Sequence, residues 1–260
     1  MHFNIKPFEL KHRHLPTKKG LLLEKDGRFS EVSPLPGRSI ETVEEALEQL
    51  QAVQRGWKGP LYPSVEFGLY GLACPQVLSI PCALFLCGSP DEVLKAAHLP
   101  HGCTTVKLKV GHWSAAQALH VIQNLPFKKL RLDFNHLWDT KEVRKLCAEL
   151  SPDQIEFLED PGCIVPGFLE AYDEKPSPHS LNIWKPMVRG LPPPKCRLIL
   201  SSSLESSIGL HQIAALTESH QIPAHILGIG TGINLEQDLV KNSAALREGK
   251  LHFPTSWDLC

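Results

Sequence analysis

Several common signals are absent from this chain of 260 residues. Its net charge of −1 leaves it without the basic field that nucleic-acid binding requires, and no acidic tail is present. The first residues lack the apolar run of a signal peptide, and no apolar segment approaches the length of a membrane span. The composition therefore predicts neither a nucleic-acid partner nor a membrane partner.

The eight cysteines form no recognisable pattern. None belongs to a CxxC pair, and no set of Cys and His has the spacing of a zinc finger. Several lie in apolar runs, as reduced and buried thiols do. We expect a cytoplasmic protein.

Residues 1–78 have the pattern of a separate α+β module. An Asp26-Gly27 turn joins two strand-like segments, and Ser39 or Thr42 is suited to cap a helix with early acidic residues. The predicted elements are strands at Phe3–Leu10, Leu21–Lys25 and Phe29–Val32 and helices at 42–54 and Ser64–Ala73.

From residue 79 to residue 260 strands and helices alternate. This order is typical of a parallel sheet with crossover helices. Strands are predicted at 82–87, 104–110, 130–134, 155–158, 197–200 and 225–227. Helices are predicted after Ser89, at 114–125, at 208–219, at 235–242, and through Leu150 with Thr140 as the cap.

Three successive strands carry charged residues on one face. Side chains in a strand alternate with a period of two, so Lys107 and Lys109 share a face. Arg131, Asp133 and Asn135 do the same in the next strand, and Glu159 ends the third. Each motif alone is more often a solvated face or a turn. Together they place charges near the carboxyl ends of consecutive strands, where a (β/α)8 barrel has its active site.

These segments together resemble the enolase superfamily and, within it, the o-succinylbenzoate synthase family. The resemblance covers nearly the whole chain, and the motifs that carry it are Glu31–Gly37, Pro63–Gly68, Val106–Gly111, Arg131–Asn135, Phe157–Pro161, Tyr172–Glu174, Ile183–Pro186 and Ser201–Gly209. It implies an α+β capping domain over residues 1–78 and a modified (β/α) barrel over residues 79–260.

The resemblance also implies a metal centre and two catalytic lysines. A divalent ion, Mg²⁺ or alternatively Mn²⁺, would be held by the carboxylates of Asp133, Glu159 and Asp173, since a hard cation prefers oxygen ligands. Lys109 matches the general base, and Lys185 matches the lysine on the opposite wall of the barrel. Lys107 would help to lower the pKa of Lys109 through its positive charge.

Further polar residues are candidates for holding a small carboxylate substrate. Arg131 either pairs with a second substrate carboxylate or braces Glu159 or Asp173. The remaining candidates for substrate binding are Asn135, Ser202 and Ser203, although serines at the end of a strand are more often helix caps. Supporting or solvated roles are expected for Asp160, Glu174 and Glu205.

The implied reaction is a metal-dependent dehydration. It would convert 2-succinyl-6-hydroxy-2,4-cyclohexadiene-1-carboxylate to o-succinylbenzoate through an enediolate, as a step of menaquinone biosynthesis. The alternatives are an N-acylamino acid racemase or dipeptide epimerase of the same superfamily, a non-catalytic barrel, and a Schiff-base aldolase, which would leave the three acids unexplained.

The crossovers on one flank are too short for the usual barrel. Thirteen residues separate Glu159 from Asp173, eleven separate Asp173 from Lys185, and prolines are dense in both segments and after Lys185. A parallel crossover usually needs a dozen residues with a helix, which prolines at this density exclude. We therefore expect outer helices to be missing and proline-rich loops, the first module or a second subunit to cover this flank.

Overall fold

The structure is a computed structural model that describes residues 2–12, 15–99, 101–173, 180–193, 197–220, 222, 227–231 and 235–260. Its strands are β1 (Asn4–His12), β2 (Leu15–Lys25), β3 (Arg28–Val32), β4 (Ser79–Leu86), β5 (Thr105–Lys109), β6 (Lys129–Asp133), β7 (Ile155–Glu159), β8 (Glu170–Tyr172), β9 (Leu181–Trp184), β10 (Leu198–Leu200), β11 (Leu227–Gly230), β12 (Leu235–Gln237), β13 (Ala245–Arg247) and β14 (Lys250–His252). Its helices are α1 (Val43–Gln54), α2 (Pro63–Gly71), α3 (Pro90–Ala97), α4 (Ala115–Gln123), α5 (Thr140–Ala148), α6 (Pro186–Arg189) and α7 (Ser207–Ser219).

The first module is an antiparallel sheet covered by two helices. The turn between β2 and β3 has positive φ at both Asp26 and Gly27, as the tight hairpin predicted from this dipeptide requires. Thr42 caps α1, and its side chain and that of Glu45 satisfy each other's backbone N–H groups. Leu21, Leu23, Ala46 and Leu50 are buried between sheet and helices.

A closed parallel barrel follows. Strands β4 to β10 pair in chain order, and β11 pairs with β4. A parallel bridge between Ser201 and Gly228 joins the end of β10 to β11, so the ring of eight strands is complete. The fold class expected from the alternation and the resemblance is therefore confirmed.

Helices cover half of the barrel in the usual way. Ser89, Ser114 and Ser206 cap α3, α4 and α7 through their side chains. The cap of α5 is Asp139, whose carboxylate accepts from the N–H of Glu142 at 2.8 Å, so the expectation that Thr140 caps this helix is wrong. An aspartate carboxylate carries charge that also suits the helix N-terminus.

The short crossovers are confirmed in the part of the chain that the structure describes. Between Glu159 and Ser201 those residues form a single four-residue helix, α6. Leu198 and Leu200 are nevertheless buried, because α7 packs on them. The Trp184 indole donates to the carbonyl of Gly190 at 2.9 Å and carries the Arg189 guanidinium over its ring. A second subunit on this flank stays a prediction.

The C-terminal segment has a different role from the one predicted. Residues 235–242 were expected to form a helix, but Leu235–Gln237 form β12, which pairs with β1 at the edge of the capping sheet. Asp238 fixes the segment, because its carboxylate accepts from the N–H and the hydroxyl of Ser207 at the start of α7. Part of the region assigned to the barrel thus completes the capping sheet.

Among the described residues, every helix is too short or too polar to cross a membrane.

Candidate active site

The charged residues singled out from the sequence meet at the carboxyl end of the barrel. Strand register places Lys109 beside Asp133 and Asp133 beside Glu159. Asp173 follows directly after β8, and Lys185 follows directly after β9. Parallel strands end at the same rim, so side chains on five consecutive strands converge there.

Lys107 connects two of the acids. Its ammonium nitrogen lies 2.6 Å from Glu159 Oε1 and 3.0 Å from Asp133 Oδ2, and all three side chains are buried. Burial opposes a charge on this lysine, but the two carboxylates outweigh it and raise the pKa of Lys107 well above its ordinary value. Lys107 therefore stays protonated and cannot act as a base.

Lys109 has the opposite character. No hydrogen bond or ion pair of its ammonium is found among the described residues, and the side chain is half-buried. Burial lowers the pKa of Lys109, Asp133 opposes this, and the charges of Lys107 and Lys185 lower it further. A lysine with a lowered pKa is suited to accept a proton at neutral pH, as the sequence predicted.

Lys185 faces Lys109 across the barrel. Three strands, β6 to β8, separate β5 from β9 in a ring of eight, so the two lysines lie on opposite walls. The Lys185 ammonium forms a close ion pair with Asp173 Oδ2. Burial favours the neutral acid, but Lys185 outweighs it and lowers the pKa of Asp173. The predicted opposition of the two lysines is confirmed.

The carboxylates meet the requirements of a cation site. Burial and the nearby Asp133 raise the pKa of Glu159, so the charged form of this carboxylate is disfavoured unless further positive charge is present. Glu159 Oε2 is buried and has no hydrogen-bond partner among the residues that the structure describes. One oxygen from each of Glu159, Asp160 and Asp173 lies within 4.8 Å of the others. A divalent cation fits this oxygen set.

This cluster differs in one member from the set implied by the resemblance. Glu159 and Asp173 belong to both sets, whereas Asp160 takes the place of Asp133. Asp160, for which a supporting or solvated role was expected, is buried in a left-handed conformation and accepts from the N–H of Asp173 at 3.1 Å. Nothing in the sequence indicates Asp160 as a metal ligand, apart from its place directly after Glu159 at the end of β7.

Arg131 is on the inward face as predicted, but its partner is new. The guanidinium donates two hydrogen bonds to Glu156, at 2.9 and 3.0 Å, and lies over the Phe157 ring. Glu156 is near the amino-terminal end of β7, so these contacts lie below the acidic cluster. This pairing with Glu156 was not among the expectations for Arg131. The predicted contact with a substrate carboxylate, or the bracing of Glu159 or Asp173, stays a prediction.

Asn135 supports Asp133. The chain leaves the strand after Asp133, and Asn135 adopts positive φ, which Asn tolerates better than most residues. Its side-chain amide donates to Asp133 Oδ1 at 2.8 Å, and its backbone N–H points to the same oxygen at 3.2 Å. The structure thus gives Asn135 a contact that positions Asp133, and its substrate contact stays a prediction.

Ser202 and Ser203 bond within the protein. The Ser202 hydroxyl is 2.7 Å from that of Thr231, and the Ser203 hydroxyl donates to Glu205. Glu205, expected to be supporting or solvated, is buried and lies 3.7 Å from the Lys18 ammonium. The side chain that caps α7 is that of Ser206, so the alternative that these two serines cap a helix is wrong. Their substrate role stays a prediction. Glu174 lies outside the described residues.

Comparison with solved structures defines the class of protein. The dipeptide epimerase of Methylococcus capsulatus in complex with a Mg ion aligns over 97% of this chain and 96% of its own, with a TM-score of 0.76 and 16% identity. The o-succinylbenzoate synthase of Thermosynechococcus elongatus BP-1, with MG in its active site, aligns over 92% and 95%, with a TM-score of 0.64 and 22% identity. These solved structures share the fold of this chain, which is a barrel with a capping domain.

Sequence comparison adds the family. The o-succinylbenzoate synthase of Klebsiella pneumoniae (strain 342) is 31% identical, and the match covers 89% of this chain and 88% of that protein. No family model matches the chain. The chain belongs to the o-succinylbenzoate synthase family of the enolase superfamily.

Proposed function

We propose that this protein catalyses the Mg²⁺-dependent dehydration of 2-succinyl-6-hydroxy-2,4-cyclohexadiene-1-carboxylate to o-succinylbenzoate, a step of menaquinone biosynthesis. The observation that carries the proposal is the pair of opposed lysines around buried carboxylates. Lys109 is unpaired among the described residues and has a lowered pKa, and Lys185 faces it. Family membership supports the same reaction.

The metal would be held by Glu159 and Asp173, which both oxygen sets share, and by Asp133. The unpartnered Glu159 Oε2 supports this assignment, because a buried ionised oxygen without a donor is unfavourable unless a cation is bound. Asp133 and Glu159 already share one cation, the Lys107 ammonium, within 3.0 Å. When bound, Mg²⁺ supplies positive charge that stabilises the negative charge developing on the substrate carboxylate.

In the proposed reaction Lys109 carries the proton. Its neutral amine removes the proton from the ring carbon next to the carboxylate, and the resulting ammonium then protonates the hydroxyl that leaves the adjacent ring carbon. The C–H electron pair becomes part of the aromatic ring, and one water is released. Lys185, held by Asp173, contributes positive charge on the opposite face of the ring.

The opposed lysines also favour a second candidate within the superfamily. In an epimerase or N-acylamino acid racemase, Lys109 and Lys185 would remove and return a proton on opposite faces of one carbon. The structural likeness to a dipeptide epimerase makes this candidate worth testing. The two reactions require different substrates and the same residues.

The test is direct. The purified protein with Mg²⁺ is mixed with the cyclohexadiene, and formation of the aromatic product is followed by ultraviolet absorbance, with Lys109→Ala as the matched inactive control. Parallel samples contain dipeptides or N-acylamino acids in D₂O, and deuterium incorporation is measured. Dehydration by the wild type alone supports the proposal. Deuterium exchange without dehydration would replace the proposed synthase activity by an epimerase or racemase activity. Absence of both activities would indicate a non-catalytic barrel.

A further inference from the structure

A cavity of about 480 Å³ lies apart from the candidate active site. It is lined by four segments, which are the hairpin between β2 and β3, the linker after α2, the helix α7 and the C-terminal tail, residues 253–260. Among the described residues that line it, none belongs to the active site. Its volume is in the range of sites for small organic molecules. The reaction proposed above gives this cavity no role.

The walls of the cavity are held together by contacts between distant segments. The side-chain amide of Gln76 donates to the Pro254 carbonyl at 3.1 Å. The N–H of Phe253 donates to the Leu78 carbonyl at 2.9 Å, so the linker and the C-terminal tail are joined twice. At Gly71 a Cβ would meet side chains of α7 and of β3 at 2.4 Å, which places the end of α2 in close contact with both elements. The folded chain itself therefore forms the cavity.

His211 directs a hydrogen-bond donor into this space. Its Nε2 accepts from the N–H of Val77 at 3.1 Å, so that in the neutral ring Nδ1 carries the proton. Burial lowers the pKa of His211 to about 4, which keeps the ring neutral at neutral pH. Nδ1 has no partner among the described residues and, unlike both ring nitrogens of His12, is not sealed inside the protein. Because His211 is 6% exposed and lines the cavity, this donor faces the cavity.

The side chains that line the cavity in the described part of the chain include one cation and no carboxylate. The cation is Arg28, whose guanidinium has no hydrogen bond or ion pair among the described residues. Burial raises the pKa of Cys74 to about 11, and the nearby Arg28 opposes this, so the thiol is uncharged at neutral pH. A guanidinium matches the two oxygens of a carboxylate with two parallel N–H groups. An anion is therefore the complementary ligand.

An aromatic surface forms another part of the wall. Phe29 and Trp257 line the cavity, and both half-buried rings pack on the same buried cluster, which contains Leu22. The Trp257 ring also stands edge-on to the His211 ring, with 5.8 Å between the centroids. Aromatic rings pack favourably on one another in offset or edge-on geometry. The cavity thus combines an aromatic wall with donors for an anion.

We propose that this cavity binds a small aromatic monocarboxylate. The carboxylate accepts hydrogen bonds from the Arg28 guanidinium and from His211 Nδ1–H. The ring of the ligand packs on Phe29 and Trp257. The site is independent of the reaction proposed above, because no residue of the active site takes part in it.

The test uses three probes that separate the charge from the ring. Benzoate has both, benzamide has the same shape without the charge, and acetate has the carboxylate without the ring. Each is titrated into ¹⁵N-labelled protein, and the ring N–H signals of the histidines are followed by NMR. His211→Gln serves only to assign the His211 signal. The wild type is compared with Arg28→Gln and with Arg55→Gln, a matched control at another exposed position of the cap.

We expect benzoate to shift the His211 Nδ1–H signal with a dissociation constant on the order of 1 mM, as its small size implies. Benzamide should bind roughly threefold to tenfold more weakly, because it lacks one charged hydrogen-bond partner at a partly exposed site. Acetate should also bind more weakly, because it buries less apolar surface. Arg28→Gln should abolish the preference for benzoate over benzamide, and Arg55→Gln should retain it.

The site is overturned if benzoate at about ten times the expected dissociation constant leaves the His211 signal unchanged. Binding of benzoate in the active site alone would give this result. Equal affinities for benzoate and benzamide, or a preference that Arg28→Gln retains, would exclude the assigned anion contact. Acetate that binds as tightly as benzoate would exclude the aromatic ligand. Neither activity nor inactivity toward the cyclohexadiene changes these outcomes, so the site and the proposed function are decided separately.

Discussion

The Lys107 ammonium nitrogen lies 2.6 Å from Glu159 Oε1, in a buried ion pair that spans β5 and β7. This contact gives the two lysines of one strand different roles. Lys107 is fixed as a cation by carboxylates, whereas Lys109, two residues later, has a lowered pKa. The strand thus presents one fixed cation and one lysine of lowered pKa to the same site.

Lys109→Ala should abolish proton abstraction and leave metal binding nearly intact. Among the described residues the lysine forms no hydrogen bond or ion pair with Glu159 or Asp173, and loss of a general base typically lowers the rate by about 10²–10⁴-fold. Turnover is measured by product absorbance and Mg²⁺ affinity by calorimetry. Lys141→Ala, at an exposed position of α5, is the control and should behave as the wild type. Near-normal turnover of Lys109→Ala would exclude the assigned role.

Asp133→Asn should weaken Mg²⁺ binding by roughly tenfold or more and remove activity together, as the loss of a metal ligand does. Asp160→Asn keeps an oxygen that can accept from the Asp173 N–H, so its effect on affinity should be smaller. Calorimetric titration of both variants with Mg²⁺ shows whether Asp133 or Asp160 is the third ligand beside Glu159 and Asp173. A larger loss in Asp160→Asn would replace Asp133 by Asp160 as the third ligand.

Lys18→Met should destabilise the protein by about 3–5 kcal/mol, because it leaves buried acids without their cation. The Lys18 ammonium donates to the Ser203 carbonyl at 2.6 Å and pairs with Glu205 between cap and barrel. Urea unfolding measures the change. Lys19→Met is the matched control, since the adjacent side chain is exposed. A double variant, Lys18→Met with Glu205→Gln, should recover part of the lost stability. Equal stability of Lys18→Met and Lys19→Met would refute this account.

His211 should make stability depend on pH. Its Nε2 accepts from the N–H of Val77 at 3.1 Å, so the folded ring is neutral, and burial lowers its pKa to about 4. The unfolded ring has a pKa near 6.5 and takes up a proton first as the pH falls. The contribution of His211 to the free energy of unfolding is therefore fully present above pH 6.5. It is lost as the pH falls from 6.5 to about 4, and the total loss is at most about 3 kcal/mol.

The His211 prediction is checked by urea unfolding at pH 7.5 and pH 4.5 in the presence of EDTA, which removes the contribution of bound metal. His211→Gln should lose less stability over this interval than the wild type does. His112→Gln, whose side chain is exposed, should follow the wild type. An identical pH dependence in His211→Gln and the wild type would contradict the assignment.

Local sequence patterns determined many of the strands, most of the helices and the faces of the site. Alternation with a period of two placed Lys109, Asp133 and Glu159 on inward faces, because this period is a property of each strand alone. Capping residues fixed the starts of α3 and α4 in the same way, through hydrogen bonds to backbone groups three residues away. The proline density excluded full-length helices on one flank without reference to any partner.

Contacts between distant segments were decided only by the tertiary structure. The pairing of β6 with β7 shifts register after Leu130, so that Arg131 lies opposite Phe157 and its guanidinium reaches Glu156. Such a shift re-aims a side chain and depends on two strands at once. In the same way, pairing with β1 turned Leu235–Gln237 into a strand, because hydrogen bonds to a distant edge outweighed the weak local preference for a helix. The cavity lined by Asp173, Lys185 and the cap residue Leu35 required the cap to dock on the barrel, and no local pattern specifies that docking.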